Sequence, residues 1–137
     1  MKQVLSIEQM KHLQELGLDT SDASMYWARV SHGSRIDDKS KGKWFLSLHK
    51  EFQTCGFMSY ESISTYTLQD ILDKLPCFIG NQVLTIQKLA DSYTCLYIEP
   101  YTRSMINITE SKEPIDAAYD MLCWCIENGY VKVGKEE

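Results

Sequence analysis

The stretch from Pro114 to Asn128 restricts the possible folds more than any other part of this chain. Proline is tolerated in a first helical turn because that turn has no use for the N–H it lacks, and Ser111 lies just upstream as a candidate cap. Gly129 follows the last periodic residue, where a left-handed backbone ends a helix without a Cβ clash. The pattern therefore predicts a C-terminal helix over 114–128. Ile115, Ala118, Tyr119, Leu122 and Ile126 recur at spacings of three and four and stack on one face, which is expected to lie against strands. Ala117, Met121 and Trp124 form a second stripe, roughly opposite at the usual ~100° per residue. That stripe either packs beneath the N-terminal helix or a loop, or forms a contact with a second subunit or a partner. Ala117, Met121 and Trp124 are thus the interface candidates.

With 137 residues the chain suits one domain over 1–137 and is long enough to bury a core without disulfides or a structural metal. Its 44% hydrophobic and 24% charged residues argue against wholesale disorder. No run approaches the ~20 apolar residues of a membrane helix. The opening MKQVLSIEQMKHLQ lacks the unbroken apolar segment of a signal peptide. A cytoplasmic protein with no membrane contact is expected. The five cysteines, an odd number scattered along the chain, fit reduced and mostly buried thiols.

In chain order, Ser6 with Gln9 three residues on resembles a capping box for a first helix over 7–16, ended by Gly17. DTSDAS at 19–24 is turn chemistry. Met25–Val30 and Lys43–His49 read as a hairpin of strands around a long polar connection. Residues 51–66 lack a clean period and stay open between strand, loop and short helix. Thr67 and Asp70 cap a short helix that Pro76 stops. Val83–Leu89 and Tyr93–Glu99 pair across an Ala90-Asp91-Ser92 turn, which places Leu84 and Ile86 with Leu96 and Ile98 and leaves Tyr97 on the polar side. Met105–Ile108 is a short edge strand. The order α-ββ-α-ββ-α predicts an α+β domain, with three helices on one antiparallel sheet of four to five strands.

The chemistry-bearing residues form no recognisable motif. Cys123 and Cys125 diverge by about 200° on a helix and share neither a metal nor a disulfide easily. His12, His32 and His49 are isolated from the cysteines in sequence, so no zinc pattern forms. No nucleophile elbow, phosphate loop or calcium loop is present. No catalytic, cofactor-binding or metal-binding residue is assigned, and no cofactor is expected. An enzyme would need a site assembled only by folding.

Charge is uneven. The net charge is −5, yet residues 29–50 hold six Lys or Arg against two Asp. A solvated hairpin tip explains such a cluster. The alternative is an anion-binding segment, with Arg35, Lys39, Lys41 and Lys43 meeting phosphates and the neighbouring Trp44 and Phe45 stacking bases. Overall acidity weighs against nucleic acid as a partner.

YTLQDILDKLP at 66–76 and EPIDAAYDMLCWCIENGY at 113–130 resemble small uncharacterised proteins of bacterial prophages and mobile elements, and LGLDTSDASMYW is similar in style. The resemblance implies a mobile-element origin and carries over no functional residue. An accessory or protein-interaction module follows as the leading expectation. The alternatives are a weak nucleic-acid binder using residues 29–50 and an enzyme whose site is not visible in sequence.

Overall fold

A computed structural model describes residues 1–32, 43–48 and 59–134. Among them, helices α1 (Ile7–Glu15), α2 (Leu68–Lys74) and α3 (Pro114–Glu127) accompany strands β1 (Met25–His32), β2 (Phe45–Ser47), β3 (Ser59–Thr65), β4 (Phe78–Ile79), β5 (Gln82–Lys88), β6 (Tyr93–Ile98) and β7 (Met105–Ser111). The fold is α+β. Its strands divide between two antiparallel sheets, ordered β2-β1-β3 and β4-β5-β6-β7, where one sheet of four to five strands was expected. The additional strand of the first sheet is β3, which comes from the aperiodic 51–66 segment and pairs along β1 from Met25↔Thr65 to His32↔Ser59.

The helix ends follow their local chemistry. Ser6 and Gln9 form a full capping box on α1, and Thr67 and Asp70 form one on α2. Gly17 and Gly129 both sit at positive φ and close Schellman motifs. At α3 the Tyr130 N–H donates to the Cys125 carbonyl (2.8 Å) and the Gly129 N–H to that of Ile126 (3.2 Å). The α3 N-cap is Glu113, without a side-chain capping bond, and Pro114 opens the helix. Ser111 is not the cap; its hydroxyl instead accepts from the Glu113 N–H at 3.4 Å.

α3 lies on the inner face of the four-stranded sheet, against β6 and β7, with α2 beside it. One core runs from Leu5, Met10 and Leu13 through Tyr66, Ile71 and Leu75 to Ile115, Met121 and Leu122 of α3, and to Cys95 and Tyr97 of β6. Tyr97 therefore faces inward, not onto a polar side. The reason is register. Lys88 pairs with Tyr93 and Leu84 with Tyr97, so the turn holds four residues, 89–92, and not three. One residue of slip exchanges the faces of a strand. Leu96 and Ile98 move to the outer face, and Cys95 and Tyr97 join Leu84 inside.

Candidate interaction surfaces

The outer face of the four-stranded sheet is built from cross-strand rows, because directly paired residues project to the same side. Phe78, Val83, Ile98 and Met105 form one row across all four strands. Thr85, Leu96 and Ile108 form the next. Gln87, Thr94 and Glu110 form a third, polar row. A bulge in β7 adds Ile106 beside Met105 opposite Ile98. The result is a two-row apolar field at one end of the face. Phe78 is 63% exposed, Met105 50% and Ile108 47%, whereas Leu96 between the strands is buried. Beyond the first row the β6–β7 connection projects Tyr101, 91% exposed. That connection is rigidly tied: the Glu99 carboxylate accepts from the Tyr101 and Thr102 N–H groups, both at 2.6 Å. These bonds, the Thr102 one foremost, hold its pKa below the usual carboxylate range.

A second feature is a groove of about 460 Å³ between the first turns of α1 and the three-stranded sheet, lined by Ser6, Ile7, Glu8, Lys11, Trp27, Arg29 and Trp44. The Trp27 indole N–H donates to the Leu5 carbonyl at 2.9 Å. Arg29 donates through Nε to Glu61 (2.6 Å) and lays its guanidinium 4.5 Å from the centre of the Trp44 ring.

A third is a small polar pocket of about 130 Å³ around Tyr66, Asp22, Asp70, Asp73 and Lys74. Its groups are committed to one another. Tyr66 donates to Asp22 (3.2 Å), Lys74 pairs with Asp22, and Gln69 donates to Asp73 (2.8 Å). Asp70 accepts from the Ser24 hydroxyl at 2.6 Å and from the Thr67 N–H at 3.0 Å. Burial opposes ionisation of Asp70, but the Ser24 and Thr67 hydrogen bonds win and hold its pKa below the usual range. Burial pushes the Tyr66 phenol up, with Asp22 adding to it. This pocket is a lock between the 19–24 turn and α2. Among the described residues no group of three His, Cys, Asp or Glu is placed to hold a metal ion.

The structure separates the three α3 candidates. Ala117 and Met121 are buried inside the chain's own fold. The Thr109 hydroxyl donates to the Ala117 carbonyl at 2.7 Å, and the Asn107 amide reaches the Met121 sulfur at 3.6 Å. Of the two readings of this stripe, packing within the chain's own fold holds for these two residues, with β7 and not α1 or a loop as the cover, so they are corrected from interface candidates to core. Trp124 is half-buried and stacks on Tyr130, ring centres 5.4 Å apart, as the apolar contact of the Schellman motif. Of the anion-binding candidates, Lys43 is exposed beside Trp44, while Arg35, Lys39 and Lys41 lie outside the described residues. Arg29, which stacks on Trp44, and Lys11, which lines the same groove, are not among the residues that the sequence singles out. Lys11 could not be placed there from sequence, whereas Arg29 and Trp44 lie one step beyond the Ala28↔Phe45 pair once the hairpin is formed.

The described cysteines are free thiols, with Cys95 and Cys125 buried. Burial pushes Cys95 up to about 12 and Cys125 to about 11, which keeps both protonated and unreactive at neutral pH. Comparison with known proteins adds no relative to this picture: no protein-family model, no curated protein and no solved structure matches the chain.

Proposed function

We propose that the protein is a self-associating interaction module that docks through the outer face of its four-stranded sheet. The observation that carries this reading is the pair of apolar rows, Phe78-Val83-Ile98-Met105 and Leu96-Ile108, left facing outward by the β5–β6 register. Apolar fields of this kind on soluble proteins mark contact sites. A second copy is the natural occupant. Two sheets stack face to face about 10 Å apart by interleaving such rows, and a two-fold axis lets each copy supply the same surface. Among the paired positions of this face the acidic residue is Glu110, in the polar row and away from the apolar rows. Tyr101, at the apolar end, adds an amphipathic aromatic of the type enriched at interface centres.

An accessory role in a mobile genetic element is part of the same proposal, supported by the resemblance of the 66–76 and 113–130 blocks to proteins of that type. Sedimentation velocity over a concentration series tests the surface. The wild type is expected to shift from monomer to dimer in the micromolar range, and Ile108→Asp with Phe78→Ser to remain monomeric. Trp124→Ala is expected to dimerise like the wild type. A wild type that stays monomeric at high micromolar concentration, or dimerisation unchanged in the double variant, overturns the proposal.

A further inference from the structure

We propose that the groove between α1 and the three-stranded sheet binds a ligand of nucleotide chemistry, a planar aromatic base joined to a phosphate. This inference is independent of the sheet-face proposal, since the groove lies on the other sheet.

Register places the parts. Trp27, Ile63 and Leu46 are mutual partners across β1, β3 and β2, and Arg29 is paired with Glu61 one step along the same face. Alternation brings Trp44 to the position beside Arg29, and the observed stacking confirms it. Ile7, Glu8 and Lys11 of α1 line the same groove as the two tryptophans. The space between, about 460 Å³, falls in the range of small-ligand sites.

The lining is suited to a base and a phosphate together. Trp27 spends its only polar group on the Leu5 carbonyl, which fixes the ring plane and leaves the rest of the indole as an apolar stacking surface. Stacking on such a ring tolerates any base. Arg29 is already held by Glu61 and Trp44, so its charge is in place before a ligand arrives, and its terminal amino groups are not used in the Nε bond to Glu61. Lys11 brings a second cation from across the groove. Two cations on opposite walls suit a phosphate, which takes charge-assisted bonds from both. Glu8 repels a bare anion but accepts from a sugar hydroxyl or an exocyclic amine, groups that a nucleotide carries and inorganic phosphate lacks. The mixed lining therefore selects a nucleotide over a simple anion.

The same chemistry is offered by a free nucleotide and by a single strand of nucleic acid, and titration separates them. The full chain is titrated with adenosine monophosphate, inorganic phosphate and a short single-stranded oligodeoxyadenylate, following tryptophan fluorescence and the heat of binding. Saturable quenching by the nucleotide and none by phosphate is expected. Lys11→Glu, an exposed change that leaves the core intact, is expected to weaken binding about tenfold, and Trp44→Ala to do the same or more. Trp124→Phe is expected to leave it unchanged. Tighter binding of the oligonucleotide, weakening steeply with salt, assigns the site to single strands; equal or weaker binding assigns it to the free nucleotide. No quenching or heat from either nucleic-acid probe at millimolar concentration overturns the proposal, as does binding that Lys11→Glu and Trp44→Ala both leave intact.

Discussion

Asp70 does two jobs with one carboxylate. It closes the capping box of α2 on the Thr67 N–H, and it anchors the 19–24 turn by accepting from the Ser24 N–H and hydroxyl. The first job was legible in the sequence, because Thr67 and Asp70 stand at capping-box spacing ahead of an apolar run. The second was not, since Ser24 lies 46 residues away and only tertiary structure brings it near. Removing the carboxylate strands a cap and a turn together, so Asp70→Ala is expected to cost about 1–2 kcal/mol in urea unfolding at neutral pH. Its folded pKa lies below the unfolded value of about 4. The stabilisation is therefore complete above that value and fades as the pH falls through the lower, folded one. Wild type and variant should draw together in stability as the pH falls from the unfolded value through the lower, folded one. A gap that stays constant across that window would mean the carboxylate's charge contributes nothing.

The helices and the strands differ in how far their own residues specify them. A helix carries its stop signals internally, and Ser6, Thr67, Pro114, Gly17 and Gly129 mark ends that the fold keeps. A strand's facing depends on the turn that precedes it. The 89–92 turn contains one residue more than the Ala90-Asp91-Ser92 reading allowed, and that residue alone decides whether Leu96 projects from the inner or the outer face of the sheet. The apolar outer face could not be seen until the register was known. The two apolar stripes of α3 likewise have their cause outside the helix. Its second stripe is apolar because the sheet occupies that side while α2 flanks the helix, and an all-round apolar helix is a buried one. Its C-terminal stop can be probed directly. Gly129 has φ 80°, and a Cβ there would touch nothing within 4 Å, so Gly129→Ala isolates backbone strain from crowding. The expected cost is about 1 kcal/mol by thermal or chemical unfolding. A neutral substitution would show that the Schellman hydrogen bonds do not hold the helix end.

At the scale of the whole molecule the question is what makes two sheets one unit. The N-terminal segment supplies the connection. Leu5 has no exposed surface, its N–H donates to the Tyr66 carbonyl (3.0 Å), and its carbonyl accepts from the Trp27 indole and from the Thr65 hydroxyl (2.7 Å). On the N-terminal side of Leu5, Lys2 bonds Asp116 of α3 while Val4 bridges to Thr67. A few residues thus bind the three-stranded sheet, the start of α2 and the start of α3. Deleting the Leu5 side chain leaves a cavity at this junction, and Leu5→Ala is expected to lower stability by about 3 kcal/mol. Because the core is continuous from Tyr66 to Tyr97, the loss should be shared by both sheets. Fluorescence from a variant retaining only Trp27 reports the three-stranded sheet, and from one retaining only Trp124 the α3 side. Their unfolding curves should coincide in the wild type and move together in Leu5→Ala. Separate midpoints would show two independently stable units, and the N-terminal segment would then be a tether and not a shared part of the core.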